Sequence, residues 1–93
     1  MTEIHLNGHV DVPEDRLKTV LAALPEHIRL SRAEDGCIFF NVDQDAQNPL
    51  RLLVSEAFTD RPSFDAHQTR ASSSHWAEVT EGLPRHYTIT ETS

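Results

Sequence analysis

Residues 4–12 alternate between apolar and polar side chains, with the period of two that predicts a β-strand. The apolar face carries Ile4, Leu6, Gly8 and Val10. The polar face carries His5, Asn7, His9 and Asp11. A glycine in the middle of a strand weakens it and often marks the close approach of another group, so Gly8 is expected to lie against a neighbouring segment.

A helix is predicted to begin at Pro13, because proline suits the first turn and the two acidic residues after it favour the helix dipole. Its apolar stripe has the spacing i, i+3, i+4, i+7. The stripe consists of Leu17, Val20, Leu21 and Leu24. Pro25 is predicted to interrupt this helix, and a further turn or two is expected as far as Leu30. Gly36 is expected to close the segment.

Two further strands, residues 37–43 and 50–59, are predicted to form a hairpin around a cluster of turn-forming residues at 45–49. One face of the second strand consists of Leu50, Leu52, Val54, Glu56 and Phe58. Glu56 is the one charged residue on this otherwise apolar face. It is therefore predicted to direct a carboxylate toward the interior.

The next helix is predicted to start near Pro62, with Asp60 as its capping residue. Phe64 and His67 share the face of this helix that packs on the sheet. Because the turn between strand and helix is short, Glu56 and His67 are predicted to lie in one pocket. This stretch is where the sequence points to chemistry.

A serine within residues 72–74 is predicted to cap a last helix. Its apolar stripe includes Trp76, Val79 and Leu83, and residues 87–92 then predict a fourth strand. The order β–α–β–β–α–β predicts an α+β fold of the ferredoxin-like type, with a four-stranded antiparallel sheet and helices on one face. Residues 1–93 are expected to form a single domain. The other face of the sheet needs a cover, which predicts a homodimer.

The formal net charge of the chain is −7, from 8 Lys and Arg against 15 Asp and Glu. Nucleic acid and an anionic membrane surface are therefore not expected as partners. The sequence shows neither a long apolar span nor a cationic leader, so a soluble, cytoplasmic protein is expected. Cys37 is the only cysteine, and its apolar neighbours predict a buried, unreactive thiol without a disulfide.

Two short motifs resemble the antibiotic biosynthesis monooxygenase (ABM) family, which belongs to the dimeric α+β barrel superfamily. The first motif is Glu56-x-Phe58, followed by His67 eleven residues after the glutamate. The second is residues 32–37, an acid–Gly–Cys run at the start of the second strand. The resemblance covers essentially the whole chain, since the order of strands and helices agrees as well.

The resemblance implies a homodimer with a pocket between sheet and helices in each subunit. Studied members include oxygenases that act on quinols and polycyclic phenols without metal or flavin, and relatives that degrade haem. Many other members have no established activity. For this chain the resemblance implies that His67 and Glu56 are catalytic. His67 would remove a phenolic proton, and Glu56 would orient the imidazole or hold a substrate hydroxyl.

The candidates for substrate binding are Asn7, His9, Phe58, Phe64 and Trp76. The strand face that bears Asn7 and His9 could instead line a dimer interface or meet solvent, and Trp76 could belong to the core. No cofactor or metal ion is expected. Cys37 is alone, His5 and His9 lie ~13 Å apart along the strand, and no glycine-rich phosphate-binding loop is present.

Two functions remain open from the sequence. The leading hypothesis is a cofactor-independent monooxygenase that oxidises a small aromatic or quinol-like substrate with dioxygen. The alternative is a non-catalytic dimer of the same fold that binds a small molecule or is structural. In that case His67 is a hydrogen-bonded structural histidine, and Glu56 accepts hydrogen bonds from backbone N–H groups at the start of the next helix.

Overall fold

The computed structural model of the protein describes residues 2–92. Its strands are β1 (Glu3–Asp11), β2 (Cys37–Gln44), β3 (Arg51–Phe58) and β4 (Arg85–Thr92). Its helices are α1 (Glu14–Arg32), α2 (Arg61–Ser72) and α3 (His75–Val79). This order confirms the predicted β–α–β–β–α–β arrangement, in which α2 and α3 together occupy the second helical position.

The four strands form one antiparallel sheet in the order β2-β3-β1-β4. The helices cover one face, here called the inner face, and the opposite face is called the outer face. Ile4, Leu6 and Val10 of β1 point to the inner face and are at most 3% exposed. The core lies between this face and the helices, which confirms the predicted ferredoxin-like α+β fold.

Helix α1 runs without a break through Pro25, so the predicted interruption is wrong. Residues on one helix face are buried both before the proline, at Val20 and Leu24, and after it, at His27 and Ser31. Pro25 itself is exposed. Proline lacks one helical hydrogen bond and crowds the preceding turn. Burial of the same face on both sides of Pro25 outweighs that local cost.

Helix α3 is a single turn, His75–Val79, and is shorter than the helix predicted to reach Leu83. It ends at Thr80, whose hydroxyl donates a hydrogen bond to the carbonyl of Trp76 at 2.7 Å. Leu83 lies beyond the helix in a turn but is still only 7% exposed. The apolar spacing therefore identified a buried residue but assigned it to the wrong local structure.

The strand register places Glu56 in the middle of the inner face. Leu6 of β1 lies opposite Glu56 on one side, and Phe40 of β2 lies opposite it on the other. Glu56 is 4% exposed. A carboxylate is thus held among apolar side chains, as the alternation along β3 predicts.

Two glycines permit close backbone packing. A Cβ at Gly8 would overlap the carbonyl oxygen of His86 and the backbone of Tyr87, so β1 and β4 approach closely there. Gly36 has a positive φ of 83° in the turn between α1 and β2. Its carbonyl accepts a hydrogen bond from the backbone N–H of Thr59 at 2.8 Å, which ties this turn to the end of β3.

Strand β4 is an edge strand, and all 8 of its residues are exposed. Tyr87 and Ile89 lie opposite Gly8 and Leu6 of β1, so they share the inner face. They are nevertheless 40% and 46% exposed, because the helices do not extend over this edge. The inner face therefore has a covered half and an uncovered margin.

Candidate active site

The start of α2 sets the position of His67. Asp60 caps the helix by accepting a hydrogen bond from the backbone N–H of Ser63 at 2.8 Å, and Pro62 occupies the first turn. Phe64 and His67 then follow on the side that faces the sheet, and each is 3% exposed. Local sequence signals therefore suffice to turn this histidine inward.

The imidazole of His67 is held between aromatic rings and two carboxylates. Its ring centroid lies 4.9 Å from that of Phe58 and 5.4 Å from that of Phe40. Its Nδ1 lies 2.6 Å from Oε1 of Glu34, and its Nε2 lies 3.7 Å from Oε1 of Glu56. One ring nitrogen is thus engaged in a hydrogen bond, whereas the other is beyond hydrogen-bonding distance of its neighbouring carboxylate.

Glu34, which lies just beyond the end of α1, is fixed from a second direction by Arg70 of α2. The Nε and Nη2 atoms of Arg70 each donate to one oxygen of Glu34, both at 3.2 Å. Nη2 also donates to Oγ of the buried Ser31 at 3.0 Å. Arg70 follows His67 by three residues and so extends from the same side of α2. A single carboxylate therefore joins α1 to α2 and holds the imidazole in one orientation.

The protonation states follow from burial and these partners. Burial opposes the ionisation of Glu34, but hydrogen bonds from Arg70 and His67 outweigh it and lower the pKa of this carboxyl. Burial lowers the pKa of His67 below its ordinary value, against the opposing effect of Glu34. His67 is thus neutral at neutral pH, with Nδ1–H donating to an ionised Glu34. Its Nε2 is free to accept a proton.

Glu56 has an unusual proton affinity. Burial, and then the negative charge of Glu34, raises the pKa of Glu56 to about 7. At neutral pH its carboxyl is therefore present in both protonated and ionised forms. The cap of α2 is supplied by Asp60, whereas the non-catalytic hypothesis assigned that kind of contact to Glu56. Glu56 can instead exchange a proton or a hydrogen bond with a ligand.

A cavity of about 390 Å³ lies beside this group, between the inner face and the helices. Apolar side chains of the sheet form its floor, among them Leu6, Val42 and Val54. Polar groups reach it from several elements, namely Glu56, His67, Gln68, Arg85 and Tyr87. The arrangement combines an apolar surface with a few convergent polar groups, which is typical of a small-molecule site.

His27 of α1 also lines the cavity, although the sequence analysis did not identify it. Its ring stacks on Trp76, with centroids 4.8 Å apart and an interplanar angle of 5°. It is 6% exposed, and its Nδ1 has no hydrogen-bond partner among the described residues. Burial, and then the charge of Arg70, lowers the pKa of His27 to about 4. The residue is therefore a neutral, aromatic part of the wall.

The predicted substrate-binding residues divide into three groups. Trp76 lines the cavity. Phe58 and Phe64 pack edge-to-face with centroids 5.9 Å apart, in the core rather than at the cavity surface. Asn7 and His9 lie on the outer face, so the structure does not bring them to the cavity. Their strand face was correctly assigned, but it is the face that the helices do not cover.

Glu34, Arg70, Arg85 and Tyr87 were missed as site residues. Arg70 follows His67 at helical spacing, and this spacing was a usable signal. Glu34 lies within the second family-like motif, but nothing local shows that it contacts α2. Arg85 and Tyr87 reach the cavity only because β4 pairs with β1.

Cys37 was predicted to be buried and is half-buried at the start of β2. Burial, followed by the charges of Glu34 and Glu56, raises the pKa of its thiol. The thiol is therefore protonated at neutral pH, which makes it a poor nucleophile.

The chain matches one protein family over most of its length. The family "Antibiotic biosynthesis monooxygenase" matches residues 3–79. The chain belongs to the ABM family. The matched part includes His67, Glu56 and Glu34 but ends before Arg85 and Tyr87, so the β4 side of the cavity lies outside the match.

Solved structures show the same ABM fold. A conserved protein from Bacteroides thetaiotaomicron, described as of unknown function and a possible oxidoreductase, has a TM-score of 0.79 at 21% identity, over 98% of each chain. A protein from Nitrosomonas europaea, provisionally named an antibiotic biosynthesis monooxygenase, has a TM-score of 0.76 at 21% identity, over 98% of this chain and 89% of that one. A conserved protein from Methanosarcina mazei Go1 has a TM-score of 0.77 at 23% identity, over 97% of this chain and 92% of that one. At these identities the likeness establishes the fold.

No protein with a curated description matches the sequence. Among the described residues, no helix is both long enough and apolar enough to cross a membrane.

Proposed function

We propose that this ABM-family chain is a cofactor-independent monooxygenase that oxidises a small aromatic or quinol-like substrate with dioxygen. The observation that carries the proposal is the neutral His67, which Glu34 holds through Nδ1 while Nε2 faces Glu56 beside the cavity. A cavity of about 390 Å³ is within the size range of small-molecule sites.

His67 acts as the general base. Its Nε2 accepts a proton from a phenol or from the keto tautomer of that phenol, and the ionised Glu34 stabilises the resulting imidazolium through Nδ1–H. Glu34 thus fills the orienting role that the sequence assigned to Glu56. Glu56 is left to hold a substrate hydroxyl, and its protonated form can donate to the reacting oxygen.

The substrate supplies the electrons. Deprotonation leaves an electron-rich anion whose carbon forms a bond to one atom of dioxygen, and the peroxide anion takes up the proton from His67. The hydroperoxide then loses water, with departure of the second hydrogen from the same carbon, to give a new C=O group. One oxygen atom remains in the product and the other leaves as water. The four electrons come from the substrate, so the scheme calls for no further reductant.

A homodimer is the proposed functional unit. β4 is exposed along its whole length, and Tyr87 and Ile89 leave apolar surface open on the inner face. A second copy packed along β4 would cover Tyr87, Ile89 and the open margin of the cavity. Sedimentation equilibrium checks the assembly, since a species at the 10.5 kDa mass of one chain contradicts it.

The non-catalytic alternative is supported by the hydrogen bonds that Glu34 makes. The Arg70–Glu34–His67 chain of hydrogen bonds ties α1 to α2, and such a chain stabilises a fold whether or not it performs chemistry. In this alternative the cavity binds a small molecule without converting it.

Oxygen uptake with a panel of hydroquinones and polyphenols separates the two functions. The native chain is expected to consume dioxygen, and His67→Ala is expected to lower the rate by about 10²-fold or more. His75→Ala is the matched control, because His75 is an exposed histidine of α3 whose side chain does not line the cavity. Equal uptake by native protein and His67→Ala contradicts the proposed base. Saturable binding of a phenol without oxygen uptake by the native chain supports the alternative.

A further inference from the structure

A second group of metal-ligating side chains lies on the outer face of the sheet. β1 pairs with β4 so that His9 lies directly opposite His86, and Asp11 follows on β1 two residues later. One potential ligand atom from each of the three residues lies within 4.8 Å of the others. We propose that His9, Asp11 and His86 form a binding site for one divalent transition-metal ion of the zinc type.

The donor set fits such an ion. Imidazole nitrogen and carboxylate oxygen bind Zn²⁺ at about 2.0–2.2 Å, so two ligand atoms on one tetrahedral ion lie roughly 3.4 Å apart. The ring centroids of His9 and His86 are already 4.8 Å apart, and Nε2 of His9 is 3.9 Å from Oδ2 of Asp11. Small side-chain rotations therefore suffice to bring the three atoms around one ion. Three protein ligands leave a coordination position open for water or another donor.

The backbone beneath the site is held firmly. β1 is paired on both sides, with β3 and with β4. At the neighbouring Gly8, a Cβ would overlap the carbonyl oxygen of His86, so the two strands that carry the histidines lie in close contact. The distance between the two ligand-bearing backbones is therefore set by the sheet and not by a loop.

Arg51 of β3 orients the carboxylate. Its Nε donates to Oδ1 of Asp11 at 2.8 Å, and its Nη2 is 3.4 Å from Oδ2. Hydrogen bonds to a ligating carboxylate are a common support for metal sites. The net charge of −7 further favours the approach of a cation.

This site is separate from the cavity. His9, Asp11 and His86 lie on the outer face, whereas His67 and Glu56 lie on the inner face. The proposal therefore does not rest on the proposed oxygenase. No metal was expected from the single Cys37 or from the spacing of His5 and His9, because His86 comes from the far end of the chain and reaches His9 only through strand pairing.

Titration of tag-free protein with ZnCl₂ by isothermal calorimetry tests the site. The native chain is expected to show saturable binding of one ion per chain. His86→Ala removes an exposed ligand, and Asp11→Asn removes the carboxylate by an independent change. Each is expected to weaken Zn²⁺ binding by at least about 10-fold. His75→Ala removes an exposed histidine elsewhere and is expected to bind as the native chain does.

The outcomes are distinct. Absence of saturable Zn²⁺ binding by the native chain overturns the proposal. So does native-like binding by His86→Ala or by Asp11→Asn, because the first change removes one of the three ligands and the second removes the charge of another. An equal loss in His75→Ala also overturns it, since binding would then be spread over surface histidines. Far-ultraviolet circular dichroism of each variant without metal verifies that the fold is retained.

Discussion

The two histidine clusters of this protein use the same side-chain types on opposite faces of one sheet. In the inner cluster, His67 is 3% exposed and its carboxylate partners are also largely buried. In the outer cluster, the side chain of His9 is 25% exposed and that of Asp11 is 36% exposed. The two clusters differ in burial because helices pack on only one face of the sheet.

Burial changes the chemistry of a pair formed by a histidine and a carboxylate. On the inner face, burial raises the pKa of Glu56 to about 7 and lowers that of His67, so protons can move between groups near neutral pH. On the outer face, the side chains of His9 and Asp11 are only partly buried. The inner cluster is therefore suited to proton transfer, and the outer cluster is suited to binding a cation.

The largest expected effect concerns the partner that orients the inner histidine. Glu34→Gln removes the charge that stabilises an imidazolium at His67, and it is expected to lower kcat for oxygen uptake by about 10²-fold or more. Glu26→Gln, in an exposed ion pair with Arg29, is the matched control and should retain the native rate. A kcat for Glu34→Gln within threefold of native would show that His67 needs no charged partner.

The second prediction concerns the packing under the inner cluster. Phe58 is 0% exposed and contacts the ring of His67, so Phe58→Ala leaves a cavity beneath it. The expected loss in the free energy of unfolding is about 3–5 kcal/mol, measured by urea denaturation. Phe58→Leu keeps most of the volume and should cost less than about 1.5 kcal/mol. Similar losses for both variants would contradict the role of packing.

The third prediction uses the raised pKa of Glu56. Its pKa is about 7 in the folded chain against 4.5 ordinarily, so the folded state binds an extra proton between these values. The free energy of unfolding should therefore fall as the pH rises from 4.5 to 7, by up to roughly 3 kcal/mol from this group. Gln cannot ionise, so Glu56→Gln should gain stability relative to native between pH 5 and pH 8. A pH-independent difference between the two proteins contradicts the raised pKa.

The smallest expected effect is the stability lost when an exposed histidine of the outer face is removed, compared with removal of a buried histidine beside the cavity. In metal-free buffer, His86→Ala should change the free energy of unfolding by less than about 0.5 kcal/mol, because His86 is exposed. His27→Ala, which removes a buried ring stacked on Trp76, should cost about 2 kcal/mol. Thermal or urea denaturation of the two variants side by side gives the comparison. Equal losses would show that the outer cluster is as firmly packed as the inner one.

Local signals predicted much of the fold and part of the site. The alternation along β1 and β3, the cap at Asp60 and the apolar spacing of α2 gave the correct elements and turned Glu56 and His67 inward. The same kind of reasoning failed at Pro25, where burial of one helix face on both sides of the proline outweighs its local preference. It also failed at the last helix, which ends after one turn.

The sequence by itself determined the order of the elements and the direction of the side chains on each, because these depend on periods of two and 3.6 residues and on caps within a few positions. The tertiary structure decided which side chains meet. Glu34 reaches His67 only because the turn after α1 packs against the start of α2, and His86 reaches His9 only because β4 pairs with β1. Such contacts join residues far apart in the chain, and their geometry arises from packing and strand pairing that no local pattern contains.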